Sequence, residues 1–316
     1  IAARGLLARG QHVLVGCSGG PDSQALLHGM AAIASELQIR VEAASVNHGL
    51  RPNAADDVAV AGKLASQLGV PFHALSVQVP GGSSRQAQAR QARYGALFAL
   101  AEARGAQRVA VGHTLDDQAE TVLARILRGT GVLGLSAISP QRADGLIRPL
   151  IDLPRQDVHA YVQALGIPHV TDASNADLRY TRVRIRRGLL PAMAQENPRI
   201  AAHFSALADD AAGATVLLTA VADDLLATCS GNVGPLRGRA PYVQRLVLQR
   251  WCERQCGLRP SRSQLMALAQ LVEQPGEVRL SGDLAIKVDA DGTLCIAKSS
   301  KRGRGRARQT PQDSGP

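Results

Sequence analysis

Residues 13–30 read VLVGCSGGPDSQALLHGM, and no other stretch constrains the fold as strongly. Val13, Leu14 and Val15 form a short apolar run, while Ala25, Leu26, Leu27 and Met30 recur at helical spacing. Between them lies Ser18-Gly19-Gly20-Pro21-Asp22-Ser23. A strand, a glycine turn and a helix in that order form a nest for phosphate oxygens. The glycines permit close backbone approach, Ser18 and Ser23 offer hydroxyls, and the first helical turn offers unpaired N–H groups at the positive end of its dipole. The lysine of the common nucleotide P-loop is missing. Asp22 repels bare phosphate but suits Mg2+, which bridges phosphates. A lone Ser-Gly-Gly is explained as well by an ordinary capped turn; the six-residue combination after a strand favours phosphate binding.

The same alternation continues through the first half. Apolar runs at 12–17, 40–46, 72–78, 107–112 and 146–150 read as strands, with helical patterns at 22–37, 54–68, 84–104, 115–128 and 155–165. This predicts an α/β domain over 1–197, a parallel Rossmann-like sheet with helices on both faces. Ligands of such sheets bind beyond the carboxyl ends of the strands, where Ser18 to Ser23, Asn47-His48 and His113 fall. After about residue 196 the pattern changes. One or two amphipathic helices over 198–228, helices at 241–256 and 261–273, and short strands joined by Gly/Asp turns predict a smaller, mostly helical domain over 198–300. Asp291-Gly292 is its hairpin signal. The basic segment 301–316 is expected to be a disordered tail.

The formal net charge of +10 favours a polyanionic partner, most simply nucleic acid. The tail's five cationic residues do not account for it alone. Five cysteines at irregular spacing fit reduced thiols in a cytoplasmic protein better than a disulfide frame. Cys252 and Cys256 share a helical face, and two core thiols explain them better than a metal site. No apolar run approaches the ~18 residues of a membrane span, and the first residues do not read as a signal peptide. No membrane association is expected.

Three further segments carry chemistry. In GHTLDDQAET (112–121), a strand ends and a helix begins; Asp116 and Glu120 are spaced i, i+4, and Asp117 and Glu120 i, i+3. Clustered carboxylates suit Mg2+ or an amino-group substrate, and His113 can steady developing charge. Acidic residues complementing the helix dipole explain one or two of these, but not all three with His113. VNHGLR (46–51) ends another strand and alone reads as a plain turn. In RYTRVRIRR (179–187), Arg179, Arg182, Arg184, Arg186 and Arg187 with Tyr180 suit phosphate contacts and a base stack, or equally a solvated basic face. Arg90 and Arg93, beside Tyr94, form a second basic helix.

Taken together, the loop SGGPDS resembles the PP-loop of N-type ATP pyrophosphatases. VNHGLR (46–51), RQARY (90–94), GHTLDDQAETVLARILRGTGVLGL (112–135), RPL (148–150) and DASNADLRYTRVRIRRGLLP (172–191) resemble, in order, the tRNA(Ile)-lysidine synthetase family in its short form. The resemblance implies a ligase that uses ATP and Mg2+. Its members adenylylate the C2 oxygen of the wobble cytidine in an isoleucine tRNA with a CAU anticodon. The amine of free L-lysine then displaces AMP. It further implies ATP contacts from Ser18, Gly19, Gly20, Pro21, Asp22 and Ser23, with Asp22 at the metal. His113 is assigned to the phosphate side, Asp117 and Glu120 to lysine, and Arg182 and Arg186 to the tRNA and the intermediate. Arg90, Arg93, Arg179, Arg184 and Arg187 are assigned to tRNA, and a homodimer is the oligomer to test. The family's usual Asn after the residue matching Arg182 is Val183 here. The rival is a tRNA 2-thiocytidine synthetase, which needs a CxxC pair that this chain lacks. A non-catalytic RNA-binding module is the other alternative.

Overall fold

The computed structural model describes residues 1–47, 49, 54–78, 85–170 and 178–298. His48, Arg51 and the basic tail lie outside them, so the readings placed on those positions do too. The chain divides into two compact units, Ile1–Gly213 and Ala214–Pro316.

The first unit is built on β1 (His12–Gly16), β2 (Arg40–Asn47), β3 (Phe72–Ser76), β4 (Arg108–Val111) and β5 (Leu146–Ile147). All pair in parallel, in the order β3-β2-β1-β4-β5. Between and after the strands run α1 (Pro21–Leu37), α2 (Ala54–Gln67), α3 (Arg85–Arg104), α4 (Leu115–Leu127), α5 (Val132–Leu135) and α6 (Arg155–Ala164). The side-chain period of two sends alternate β1 residues to opposite faces. Val13 and Val15 pack with Leu26, Leu27 and Met30 of α1, Ala61 and Leu64 of α2, and Val158 and Val162 of α6. Leu14 packs on the other face with Tyr94, Leu97 and Ala101 of α3. Both faces are covered, which is why the strands read as continuous apolar runs.

Strand order reverses between β1 and β4, opening a crevice beyond their carboxyl ends. The SGGPDS loop follows β1, and Gly112-His113 follows β4. The topology alone therefore brings the two most distinctive sequence segments together.

The chain then forms α7 (Thr181–Arg184), a π-turn (Ile185–Leu189), α8 (Leu190–Glu196) and the long α9 (Ile200–Cys229). Ile185 is fully buried among Ala119, Val122 and Leu123 of α4 and Phe204 and Ala208 of α9. The expected one or two helices over 198–228 are thus a single helix, and the two units part within it rather than at 197/198. Alone among the described residues, α9 also matches a membrane span by length and composition, with a hydropathy of 1.4. This corrects the expectation that no segment approaches that length. The acidic pairs Asp209-Asp210 and Asp223-Asp224 break the apolar run in the sequence, while Ala, Gly and Thr keep the average apolar. Asp209 pairs with Arg4, and Asp223 with Arg250 and Arg254, contacts that a lipid-embedded helix would forfeit.

In the second unit, α10 (Pro241–Cys256) and α11 (Arg262–Gln270) accompany an antiparallel sheet of β6 (Gly276–Ser281), β7 (Leu284–Val288) and β8 (Leu294–Lys298). Its buried residues include Leu248, Trp251, Leu268, Val272 and Ile286. Asp291-Gly292 turns the β7–β8 hairpin, with Gly292 at φ +87° and the Asn232 amide donating to the Asp291 carbonyl. All five cysteines are free. Burial pushes the Cys17 and Cys252 thiols up to about 12, so both are inert core thiols at neutral pH.

Candidate active site

The loop after β1 is tied by its own side chains. The Ser18 amide donates to Ser23 Oγ (3.0 Å), the two serine hydroxyls lie 3.1 Å apart, and Ser23 Oγ donates to the Gly20 carbonyl (3.0 Å). Gly19 sits at φ +79°, and a Cβ there would stand 2.7 Å from the Asp57 carbonyl oxygen, so only glycine fits. Gly20 caps α1 without a side-chain acceptor and Pro21 opens the helix, leaving the amides of the first turn facing outward. A Cβ on Gly112 would lie 2.8 Å from the Asp22 carbonyl oxygen, which lets the end of β4 close against the loop.

These segments line a cavity of about 700 Å3 whose walls include Ser18, Gly20, Pro21, Asp22, Ser23, His113 and Asp117. Arg90 and Arg93 of α3 and Arg182, Val183 and Arg186 line it as well. Among the sequence-predicted residues, Gly19 shapes the loop from behind. Glu120, 1% exposed, lies beneath the cavity wall.

Asp117 and Glu120 anchor the site electrostatically. Asp117 closes a capping box, its Oδ2 accepting from the Thr114 amide (2.9 Å). Its Oδ1 accepts from Arg155 (2.9 Å) and Arg182 (2.7 Å). Glu120 accepts from Arg155 (3.0 Å), Arg182 (2.8 Å) and Arg186 (2.6 and 3.0 Å). Burial alone would raise both carboxyls, but the guanidiniums outweigh it and hold both below their usual range. The buried Ile185 fixes the basic run over α4, so Arg182 and Arg186, one turn apart, both reach these acids.

The remaining arginines of that run do other work. Arg184 braces its own segment, donating to the Leu178 and Arg179 carbonyls (2.8 Å each), and Arg179 and Arg187 are exposed outside the cavity wall. Arg90 and Arg93 both lie over the Tyr94 ring, at 5.2 and 5.5 Å.

His113 is neutral. Burial pushes it down to about 3, and its Nδ1 accepts from Arg148 Nε at 3.3 Å. The ring proton therefore sits on Nε2, making His113 a neutral donor. Asp22 is raised by burial, with Asp117 adding to the shift and Arg155 and His159 opposing it. His159 Nε2 lies 3.2 Å from Asp22 Oδ1 and Arg155 Nε 3.8 Å from Oδ2.

Arg148, Arg155 and His159 were missed as site residues. One signal was available for Arg155: it opens α6, and a cation in a first helical turn opposes the dipole, a local conflict that often marks function. Arg155 and His159 are also spaced i, i+4.

Comparison with known proteins identifies the family. Residues 4–193 match the family model described as PP-loop domain, and residues 232–285 match the TilS substrate binding domain. The tRNA(Ile)-lysidine synthase of Methylobacterium nodulans is 42% identical over 248 residues, covering 75% of this chain and 72% of its own length. That of Polaromonas naphthalenivorans is 37% identical over 303 residues, covering 91% and 90%. That of Solibacter usitatus is 41% identical over 197 residues, and this chain spans only 44% of its length. The U34-tRNA thiolase NcsA of Methanococcus maripaludis shares the fold, with a TM-score of 0.58 at 17% identity over 65% of this chain and 72% of its own. The first matched segment contains every residue named above on the cavity wall, and with both models matched in order and relatives similar over most of their length, the chain belongs to the tRNA(Ile)-lysidine synthase family.

Proposed function

We propose that this chain is an ATP-dependent carbon–nitrogen ligase acting on the wobble cytidine of an isoleucine tRNA with a CAU anticodon, with free L-lysine as the amine donor. The observation that carries this reading is the convergence of two charge systems on one cavity. The SGGPDS loop and its helix N-terminus suit a leaving pyrophosphate, and the Asp117/Glu120 pair with its three arginines suits the acceptor side.

In this reading the C2 oxygen of cytidine attacks the α-phosphorus of ATP, and the bond to the β-phosphate oxygen breaks. Loop amides and the Ser18 and Ser23 hydroxyls hold the departing pyrophosphate. His113 Nε2–H donates to an α-phosphate oxygen, and Arg182 and Arg186 offset charge on the adenylylated base. One amine of lysine then attacks C2, the C2–O bond breaks, AMP leaves with the oxygen, and the amine loses its proton.

Lysine's remaining ammonium needs a carboxylate, and both candidates hold guanidiniums in this structure. Arg182 is the most exposed of the three, with 46% of its side chain accessible against 31% for Arg186 and 15% for Arg155. Lysine therefore takes the place of Arg182 on Asp117 and Glu120, while Arg182 turns to the adenylate phosphate.

A divalent cation fits beside the loop. Burial and Asp117 disfavour the ionised Asp22, which a hard cation would relieve. In this reading Mg2+ takes its other ligands from phosphate and water. Asp22 would hold it, and when bound it would neutralise charge on the pyrophosphate. Arg90, Arg93, Arg179, Arg184 and Arg187 would contact tRNA phosphates, and the second unit would add to that surface. A cytoplasmic homodimer belongs to the same reading; sedimentation of the purified protein tests the oligomer.

The direct test incubates the protein with ATP, labelled lysine and CAU-anticodon isoleucine tRNA. Label is expected in the tRNA, one per molecule. Folded protein that binds tRNA but transfers no label would overturn the reading.

A further inference from the structure

Arg155 lies where the two charge systems meet. Its own amide donates to Asp116 Oδ2 (2.7 Å), fixing the start of α6 to the first turn of α4. Its side chain crosses the cavity wall and spends both terminal nitrogens on the acceptor-side acids, Nη2 on Asp117 (2.9 Å) and Nη1 on Glu120 (3.0 Å). The third donor, Nε–H, is buried and has no hydrogen-bond partner among the described residues. The nearest carboxylate oxygen, Asp22 Oδ2, is 3.8 Å away, too far for a hydrogen bond.

A buried guanidinium N–H without an acceptor is costly, and native structures rarely keep one without a use. Here the orphan donor belongs to a residue lining the cavity, beside the phosphate-binding loop. Its two partnered nitrogens lock the plane of the guanidinium, so the direction of Nε–H is fixed before any ligand arrives. The acceptor that suits a rigid cationic donor next to a helix N-terminus is a phosphate oxygen.

We propose that Arg155 is a nucleotide-binding residue whose Nε–H donates to a phosphate oxygen of ATP while its terminal nitrogens hold Asp117 and Glu120, so that one side chain ties the phosphate half of the site to the acceptor half. This rests on the functional reading above. Loss of the arginine should act on nucleotide affinity first, because the carboxylates keep Arg182 and Arg186 as partners. Lysine in its place supplies the charge but a single donor point, which can serve the carboxylates or the phosphate and not both.

The test compares wild type, Arg155→Gln and Arg155→Lys. It measures binding of α,β-methylene-ATP by calorimetry, tRNA binding by filter retention, and thermal midpoints. In Arg155→Gln the Kd for the nucleotide analogue is expected to rise about tenfold or more, the loss of one charge-assisted hydrogen bond, with tRNA affinity little changed. Arg155→Lys is expected to recover the wild-type midpoint without recovering nucleotide affinity. Wild-type nucleotide affinity in Arg155→Gln would overturn the assignment alone. Nucleotide affinity that recovers in step with the midpoint in Arg155→Lys would reduce Arg155 to a structural ion-pair partner. Absence of nucleotide binding by the wild type would overturn the functional reading itself.

Discussion

Two buried carboxylate clusters sit toward opposite edges of the same parallel sheet. Toward the amino-terminal edge, Glu42 of β2 is completely buried and ringed by Arg104 (3.0 and 3.2 Å), His73 (2.8 Å), His12 (3.3 Å) and Arg40. At the carboxyl edge, Asp117 and Glu120 hold Arg155, Arg182 and Arg186. Both clusters surround acids with hydrogen-bonding partners that include arginines, and in both these partners win against burial. They differ in what lies next to them. None of the Glu42 cluster lines the cavity, whereas Asp117 and all three of its arginines do. The partners of Glu42 come from β1, β2, β3 and the end of α3, so its cluster ties neighbouring strands together. An ion-pair network is therefore not a site by itself. It becomes one where strand order reverses and a cavity gives a ligand access to it.

The largest expected effect separates the clusters by stability. Glu42→Gln takes the charge out of the hydrogen bonds to Arg104, Arg40 and His73 and is expected to cost about 3 kcal/mol of unfolding free energy, read by urea titration, with turnover per folded molecule unchanged. A fall in turnover without a fall in stability would erase the contrast. Next, Asp22→Asn should lower tRNA-dependent pyrophosphate release by about 10²–10³-fold while tRNA affinity stays close to wild type. Equal loss of both would make Asp22 structural. Arg187→Ala should then weaken tRNA binding and reduce the slope of log affinity against log salt by about one. An unchanged slope would exclude a direct phosphate contact.

The smallest effects are in pH. Glu42 is held down to about 2 against an ordinary 4.5; burial works against this, and Arg104 and His73 override it. Its stabilisation is complete above 4.5 and is lost as pH falls from there through about 2. His113 runs the other way, since its folded value of about 3 lies below 6.5. The unfolded chain binds that proton first, so stability declines as pH falls from 6.5 toward 3. His113 stays neutral throughout, and the pH–rate profile for pyrophosphate release should show no inflection from it between about 5.5 and 7.5. An inflection there that disappears in His113→Gln would show that it titrates.

Much of the fold was legible because its signals are local. The apolar runs that became β1 to β5 and the helical patterns that became α1 to α4 and α6 match within a few residues, since both faces of the sheet are covered and each strand reads as a continuous run. The loop was legible for the same reason: strand, glycines and helix start are contiguous. Parts of the site that depend on tertiary approach were not. Arg148 stands in the sequence only within the RPL segment and Arg155 only as a cation in a first helical turn, and it is the β4–β5 pairing and the α4–α6 contact that bring them to His113 and Asp117. Similarly, the arginines of 179–187 look equivalent, but the buried Ile185 turns Arg182 and Arg186 inward while Arg184 bonds to its own segment. The length of α9 was hidden because acidic pairs interrupt its apolar run without interrupting the helix.

The central claim is that the loop binds pyrophosphate as the leaving group, so that AMP is the transferred half. ATP labelled at the α-phosphate, incubated with the protein, CAU-anticodon isoleucine tRNA and lysine, tests this most directly. The account predicts labelled AMP and unlabelled pyrophosphate in equal amounts, dependent on tRNA, and label trapped transiently on the tRNA when lysine is withheld. Labelled ADP with release of inorganic phosphate would contradict it.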